Sequence, residues 1–373
     1  MKILHCADIH LDSAMTANLD RDKAKERKSE LLASFKDMVG YAVRENIGII
    51  IIAGDLFDTR NVSVTARKEV YNIIAGNSGV RFYYLQGNHD NGSFISSLDD
   101  VPDNLFMFGK EWTGYNVGII DNGSVTRNVV ITGVELDSDN AGRVYGSLSL
   151  NAANYNIVVM HGQEASHISK NNAQIISLKD LRNRGIDYLA LGHVHEYSSD
   201  RLDARGVYCY PGCLEGRGFD EAGEHGFVVL DIDDATGKSD TYFVPFARRN
   251  IYVKQIDVTG CNNTFEIEQI IRNNLEASDI SKESLVKVEL TGVLDVECEK
   301  DINYLVKQFE TAYYAFKIKD CTEFKVDYMS YEHDISLKGE FIRNVMARTE
   351  LSEEDKARII RFGVQALQGE EIG

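Results

Sequence analysis

The chain lacks a hydrophobic run long enough to cross a membrane. Its longest apolar stretch covers only residues 47–53, whereas a membrane-spanning helix needs about 20 apolar residues. The first residues, Met1 to His5, enter a strand-like pattern directly, without the basic and apolar regions of a signal peptide. We therefore expect a cytoplasmic protein without a membrane partner.

Cysteine motifs are absent as well. The six cysteines are scattered, and no Cys-x-x-Cys pair occurs. Cys209 and Cys213 are four residues apart, but Pro211 and Gly212 separate them and no second pair accompanies them, which argues against a zinc site. Reduced thiols, buried like other small apolar side chains, are the expected state in a cytoplasmic protein.

Positive charge is scarce. The chain has 40 basic and 58 acidic residues, which gives a net charge of −18. The acidic excess is divided equally between the parts before and after Asn250. Neither part has the composition of a basic nucleic-acid-binding module. Binding to DNA would therefore require a local basic groove or bound cations.

The chain does have the length and the alternating pattern of an α/β protein. At 373 residues, with 43% hydrophobic and 26% charged residues, it is globular and too long for one ordinary core. Strands are predicted at residues 2–7, 47–53 and 80–85, with helices at 27–44 and 64–75 between them. This alternation predicts βαβ units with a parallel sheet.

The pattern changes after about residue 105. Strands at 117–120 and 129–134 flank Asp121-Asn122-Gly123, which is a hairpin signal. Further strands are predicted at residues 155–160, 188–191, 206–210 and 226–232. We therefore expect a second, more antiparallel sheet that packs on the first, with helices outside. This is a two-sheet α/β/β/α sandwich over residues 1–248.

A second domain begins near residue 249. Strands at 251–258, 285–290 and 316–326 alternate with helices at 265–275 and 302–309, which predicts a small α+β domain over residues 249–330. Residues 331–373 are predicted to form a helical tail. The apolar stripe of its last helix, which either docks on its own domain or contacts a partner, consists of Ile359, Ile360, Gly363, Val364 and Leu367.

The abruptly ending strands of the first domain are followed by side chains that can bind metal. In an α/β fold such strand ends can converge on one edge of the sheets. A single buried histidine is usually a core residue, but this many ligand-type side chains at five strand ends are difficult to explain in that way. The residues are Asp8, His10, Asp55, Asn88, His89, His161, His193 and His195.

The number of candidate ligands favours two metal ions. Alternation along a strand places residues i and i+2 on one face, so Asp8 with His10, and His193 with His195, are expected to point the same way. A carboxylate can bridge two cations, and Asp55 is the central candidate. Two cations about 3.5–4 Å apart can clamp a phosphoryl group and generate hydroxide at neutral pH.

The ordered motifs carry a family resemblance. Asp-x-His, Gly-Asp, Gly-Asn-His-Asp, His-Gly and Gly-His-x-His, in this order, resemble the calcineurin-like metallophosphoesterases. The segments at 7–13 and 53–58, and Pro211-Gly212 followed by Glu215-Gly216-Arg217, are similar to DNA-repair nuclease subunits of the SbcD type, particularly the YhaO-like bacterial branch.

The resemblance implies a ligand set for each metal. The first metal would be held by Asp8, His10, Asp55 and His195. The second would be held by Asp55, Asn88, His161 and His193. Mn²⁺ is the usual activator of this family, with Fe, Zn, Ni or Mg as alternatives.

The resemblance also implies that His89 is the catalytic histidine and not a metal ligand. It would protonate the leaving oxygen or stabilise its charge. Nearby cations depress the pKa of a histidine, so a carboxylate is needed as a counterweight, and Asp58 is the candidate. Asp90 is expected to be structural. Arg217 either contacts phosphate or is a solvated loop arginine.

By this resemblance the protein is a metal-dependent DNA exonuclease and single-strand endonuclease in DNA repair. The small domain would direct DNA, the tail would bind an SbcC-like ABC/SMC-type ATPase, and helices early in the chain could form a homodimer. Three alternatives stay open. A small-molecule phosphodiesterase for cyclic nucleotides or nucleotide lipids would suit the acidic composition. A protein phosphatase is a weaker option, and the complete ligand set argues against a mainly structural subunit of an ATPase complex.

Overall fold

The computed structural model describes residues 1–15, 19–58, 62–90, 94, 100–121, 123, 126–164, 175–325 and 331–368. It divides into two compact units, Met1–Asn250 and Ile251–Gly373. The predicted hairpin residue Asn122 and the end of the tail beyond Gln368 lie outside the described residues. No helix in the described part of the chain has the length and hydrophobicity needed to span a membrane.

The first sheet of the first unit has the strand order β14-β13-β1-β2-β3-β4. Strands β1 to β4 are parallel to one another, whereas β13 and β14 add in antiparallel fashion at the other edge. The strands are β1 (Lys2–Cys6), β2 (Ile49–Ala53), β3 (Arg81–Leu85), β4 (Leu105–Met107), β13 (Gly226–Ile232) and β14 (Ser239–Pro245). Helices α1 (Arg21–Arg44) and α2 (Val64–Gly76) connect the parallel strands, as the sequence predicts.

The second sheet has the order β11-β12-β10-β7-β6-β5. Its strands are β5 (Thr113–Asp121), β6 (Thr126–Gly133), β7 (Tyr155–His161), β10 (Tyr188–Gly192), β11 (Ser198–Arg201) and β12 (Val207–Tyr210). The pairs β6–β7, β7–β10 and β10–β12 are parallel, whereas β5–β6 and β11–β12 are antiparallel. The second sheet is therefore mixed like the first, and the prediction that it is the more antiparallel of the two is wrong. The described residues of the crossovers contain the short helices α3 (Val144–Ser147) and α4 (Leu178–Leu181) and the short strands β8 (Gln163–Glu164) and β9 (Ile175–Ile176).

The two sheets pack face to face, which confirms the predicted α/β fold with two sheets. Ile3 and Ile51 of the first sheet and Ile157 of the second belong to one fully buried apolar cluster between them. The alternate residues of the first sheet, such as Ile50, pack against α1 residues such as Phe35. Strand β2 is therefore buried on both faces, which explains why its sequence is a continuous run of isoleucine.

The second unit contains a parallel sheet of β15 (Ile251–Asp257), β16 (Leu285–Thr291) and β18 (Ala315–Asp320). Helices α5 (Thr264–Glu276) and α6 (Ile302–Phe309) lie between these strands in the chain, in the predicted βαβαβ order. Two short strands, β17 (Val293–Asp295) and β19 (Glu323–Lys325), form a separate pair. Helices α7 (Leu337–Met346) and α8 (Glu353–Gln368) complete the unit.

The apolar stripe of α8 is divided between the core and the surface. Ile360 and Val364 are fully buried in a cluster with Ile342 and Val345 of α7, whereas Ile359 remains 39% exposed. Of the two roles predicted for the stripe, Ile360 and Val364 therefore take the first, docking on their own domain. The helical period places them on the face that α7 covers.

Truncation of Ile360 is expected to destabilise the second unit. Ile360→Ala removes buried methyl groups between α7 and α8 and should lower the free energy of unfolding by about 2–5 kcal/mol. Leu367→Ala, at a position that is 46% exposed, should change it by less than about 0.5 kcal/mol. Urea unfolding followed by circular dichroism measures both. Equal stability of the two variants would contradict the packing of α8.

Candidate metal centre

The structure brings the eight predicted metal-site residues to one edge of the two sheets. They follow or end the five strands β1, β2, β3, β7 and β10. The loops after β1 and β2 are joined by backbone hydrogen bonds, from the Asp8 N–H to the Gly54 carbonyl at 3.1 Å and from the His10 N–H to the Asp55 carbonyl at 3.0 Å. Because parallel strands end side by side, their carboxyl ends form a common cradle.

One set of ligand atoms belongs to Asp8, His10 and His195, and these atoms all lie within 4.8 Å of one another. We call these residues the first metal group. The Nε2 atoms of His10 and His195 are 3.2 Å apart. His195 Nε2 is 4.0 Å from Asp8 Oδ1. These are the predicted ligands of the first metal other than Asp55.

The second metal group consists of Asp55, His161 and His193, whose ligand atoms also lie within 4.8 Å of one another. Asn88 joins it, because its Oδ1 is 3.0 Å from His161 Nε2 and 3.2 Å from His193 Nδ1. All four predicted ligands of the second metal are therefore adjacent.

Asp55 lies between the two groups. Its Oδ2 is 3.3 Å from His161 Nε2 in the second group and 3.9 Å from His10 Nε2 in the first. Its Oδ1 accepts a hydrogen bond from the His89 backbone N–H at 2.8 Å. One carboxylate oxygen thus faces both groups, as a bridging ligand requires.

The backbone at the predicted ligands is unusual. Asp8, His10 and Asp55 have φ values of 50°, 50° and 51°, and His193 has 101°. These values lie in the left-handed region, which costs residues other than glycine about 1–3 kcal/mol each. Strands β1 and β10 end at Cys6 and Gly192, so strand alternation was the wrong reason for the expected convergence. The turns that follow the strands, and not the strands themselves, direct these side chains toward the metal groups.

Glycine permits the close packing of the site at Gly87. A Cβ atom at this position would lie 2.2 Å from Asp55 Oδ1, which is closer than nonbonded atoms approach. The glycine in Gly-Asn-His-Asp is therefore required by the proximity of Asp55. The side chain of Asn88, the next residue, can then reach the second metal group.

The buried carboxylates and imidazoles differ in their pKa values. Burial lowers the pKa of His161, but the charge and hydrogen bond of Asp55 outweigh it and raise it to about 9. Burial raises the pKa of Asp55, but His161 holds it well below its usual range. Burial lowers the pKa of His193 to about 4. A neutral imidazole and an ionised carboxylate are the forms that bind divalent cations.

The predicted catalytic histidine lies beside the metal groups. The side chain of His89 is 44% exposed, and its Nδ1 is 3.4 Å from Asp58 Oδ1. The Asp58 carboxylate raises the pKa of His89 to about 9. Asp58 therefore lies where we expected a carboxylate that offsets the effect of nearby cations on this pKa. Asp58, His89 and His10 also form a third set of close ligand atoms.

Asp90 has the structural role that was expected of it. Its carboxylate accepts hydrogen bonds from the backbone N–H groups of Gly87 at 3.0 Å and Phe57 at 2.9 Å. A third bond comes from the N–H of Leu56 at 3.2 Å. Asp90 therefore joins the turns after β2 and β3.

Sequence reasoning missed Glu221. Its Oε1 lies 2.7 Å from His195 Nδ1 and accepts a hydrogen bond from Arg217 Nη2 at 2.8 Å. Arg217 also donates to Asp58 Oδ1 at 3.0 Å, so its guanidinium joins two carboxylates, and a contact with phosphate stays a prediction. The only sequence signal for Glu221 is its position four residues after Arg217, in a loop between strands.

The donor set fits two divalent cations. Each group offers both carboxylate and imidazole ligands at one sheet edge, and Asn88 adds a neutral oxygen to the second. Mixed nitrogen and oxygen ligands suit Mn²⁺, Fe²⁺, Zn²⁺ and Ni²⁺. The Nε2 atom of His10 faces the first group, 3.2 Å from His195 Nε2, and its Nδ1 lies 3.2 Å from Asp58 Oδ1.

Several known proteins are similar to this chain in sequence. Among curated proteins, the uncharacterized metallophosphoesterase YhaO of Bacillus subtilis is 26% identical over 73% of this chain and 67% of its own length. The DNA double-strand break repair protein Mre11 of Saccharolobus solfataricus is 22% identical over 100% of this chain and 96% of its own length. A component of the nuclease SbcCD of Rhodobacter capsulatus is 30% identical over 27% of this chain and 24% of its own length.

The family model for calcineurin-like phosphoesterases matches residues 1–197. This region contains both metal groups and amounts to more than half of the chain. Calcineurin-like phosphoesterases use centres of two metals, in keeping with the two groups of ligand atoms found here. The chain therefore belongs to the calcineurin-like phosphoesterase family and is a metal-dependent phosphoester hydrolase.

Proposed function

We propose that this phosphoesterase is a Mn²⁺-dependent nuclease that cleaves DNA as an exonuclease and endonuclease in repair and recombination, in the cytoplasm. The observation that carries the proposal is the similarity to a Mre11 protein along the entire chain, which includes the second unit as well as the metal groups. The short match to a component of an SbcCD nuclease supports it.

Two cations would be held by the seven predicted ligands at the sheet edge. Asp8, His10 and His195 would bind the first, and Asn88, His161 and His193 the second, with Asp55 shared. When bound, the cations supply Lewis acidity to the phosphoryl group and a nucleophile from water. The four imidazoles and three oxygen ligands together carry a small net negative charge. Two cations would outweigh this charge, so that a negatively charged phosphodiester can approach the site.

His89 would supply the proton for the leaving oxygen. Its Nδ1 lies 3.3 Å from the Asp58 carbonyl oxygen and 3.4 Å from Asp58 Oδ1, so the proton available for transfer is on Nε2. Half exposure of the ring gives a substrate access to this nitrogen. Asp58 would keep the imidazole protonated beside the cations.

The second unit would provide the contacts with macromolecules. We propose that residues 251–325 direct DNA and that the helical tail binds an SbcC-like ATPase. Of the four side chains proposed for such a contact, Ile359 and Leu367 are exposed and would make it, because Ile360 and Val364 are buried. A homodimer through helices early in the chain belongs to the same proposal.

Digestion of linear DNA tests the nuclease proposal. Purified protein with Mn²⁺ should degrade linear DNA, and chelation of the metal should stop the reaction until Mn²⁺ is restored. Bis-p-nitrophenyl phosphate should be hydrolysed in parallel, because it reports only the phosphodiesterase chemistry. Hydrolysis of this ester with DNA left intact would refute the nuclease and favour a small-molecule phosphodiesterase, which the net charge of −18 would suit.

A further inference from the structure

We infer that Glu221 is a positioning residue for the metal ligand His195, within a network in which Arg217 joins the carboxylates behind both imidazoles of the first metal group. The inference deepens the proposed function and rests on it, because it requires two cations at the sheet edge. It assigns roles to Glu221 and Arg217 that neither the motifs nor the family match contains.

Glu221 fixes the ring of His195. The Nδ1 atom of His195 is 2.7 Å from Glu221 Oε1, so Nδ1 carries the proton and donates it to the carboxylate. The other nitrogen, Nε2, is the one that lies 3.2 Å from His10 Nε2 and 4.0 Å from Asp8 Oδ1. A carboxylate behind a histidine ligand sets its tautomer, orients its ring and increases its basicity.

His10 is supported in the same way from the other side of the group. Its Nδ1 lies 3.2 Å from Asp58 Oδ1, at the distance of an ion pair, although the two groups are not aligned for a hydrogen bond. Its Nε2 faces His195. Both imidazoles of the first metal group therefore have a carboxylate at the nitrogen that points away from the group.

Arg217 connects the two supporting carboxylates. Its Nη1 donates to Asp58 Oδ1 at 3.0 Å, and its Nη2 donates to Glu221 Oε1 at 2.8 Å. The backbone N–H of Arg217 donates to Glu221 Oε2 at 2.7 Å. A planar guanidinium with several donors holds two carboxylates at a fixed separation, so the spacing between His10 and His195 depends on Arg217.

The second metal group is supported differently. On the side away from the group, His161 Nδ1 lies 2.9 Å from the backbone carbonyl of Ala53. The Nδ1 atom of His193 faces the group, because it lies 3.2 Å from the predicted ligand atom Asn88 Oδ1. Among the contacts of the described residues, neither imidazole has a carboxylate on the side away from the group. Loss of Glu221 should therefore weaken metal binding at the first group and spare the second.

Titration with Mn²⁺ alone, in variants that keep one group, tests this selectivity. His193→Gly removes a ligand of the second group at a position whose φ of 101° suits glycine, and His195→Ala removes one of the first. Free Mn²⁺ is measured by electron paramagnetic resonance. Adding Glu221→Gln should weaken Mn²⁺ binding by about 10–100-fold in the His193→Gly background and by less than about twofold in the His195→Ala background.

Two further variants separate positioning from a general effect on the fold. Glu224→Gln makes the same chemical change at an exposed residue of the same loop and should leave both affinities unchanged. Glu221→Asp retains the carboxylate and should recover part of the affinity at the first group. Should Glu221→Gln not fold, as thermal unfolding without metal would report, Arg217→Lys replaces it and should weaken the first group in the same selective way.

The outcomes distinguish the inference from the proposed function. The positioning role would be overturned if Glu221→Gln left the Mn²⁺ affinity of the His193→Gly variant unchanged. It would also be overturned if Glu221→Gln weakened Mn²⁺ binding equally in the His193→Gly and His195→Ala variants. Binding of fewer than two Mn²⁺ ions by the unsubstituted chain would contradict the two-metal proposal itself.

Discussion

Asp55→Asn is expected to lower phosphodiesterase activity by about 1,000-fold or more. Asp55 Oδ2 faces both metal groups, 3.3 Å from His161 and 3.9 Å from His10. Asparagine keeps the shape of the side chain but removes its negative charge. It also replaces one carboxylate oxygen by an amide NH₂ group, which cannot bind a cation. Cations at such a site stabilise the transition state by several kcal/mol, and each 1.36 kcal/mol lost corresponds to about tenfold in rate.

The metal content separates this effect from misfolding. Asp55→Asn should retain less than two equivalents of Mn²⁺ after gel filtration, as measured by mass spectrometry, and its far-ultraviolet circular dichroism should be unchanged. Asp200→Asn, at an exposed position on β11, is the matched control and should keep full activity. Full metal content with more than a tenth of the activity would rule out Asp55 as the shared ligand.

His89→Ala should lower activity on DNA by about 100- to 10,000-fold, which is the usual contribution of a general acid, and leave the Mn²⁺ content unchanged. The reason is geometric. The side chain of His89 is 44% exposed, with Nδ1 beside Asp58, and it lies outside the two groups that contain Asp55 and Asp8. A proton donor of this kind acts on the leaving oxygen alone.

A comparison of leaving groups tests the role of His89 further. The p-nitrophenolate ion leaves without a proton, so the loss of activity in His89→Ala should be much smaller on bis-p-nitrophenyl phosphate than on DNA. His333→Ala, at an exposed histidine, should be silent in both assays. Equal losses on the two substrates would show that His89 does not act as a general acid, and loss of Mn²⁺ would make it a ligand.

The convergence of the site could be predicted because it depends on local patterns. The isoleucine run of β2 marks a central strand, and polar residues such as Asp55 that follow it must then lie at the sheet edge. The same reasoning places Asn88 after β3, which is parallel to β2. These inferences require only strand order and the rule that parallel strands end together.

The remaining features depend on tertiary contacts that one sequence does not display. Glu221 reaches His195 from a loop, and no periodicity marks it. Ile360 and Ile359 are equally apolar neighbours, and only the position of α7 determines which one is buried. The parallel pairings of β7 with β6 and β10 join strands that lie apart in the sequence, and no local pattern records which strands pair.

The left-handed backbone at Asp8, His10, Asp55 and His193 has a consequence for the stability of the chain. Glycine adopts this conformation without the strain of about 1–3 kcal/mol that other residues bear. The four polar residues therefore lower the stability of the folded chain at the metal groups, and the packing of the surrounding sheets must compensate for this cost.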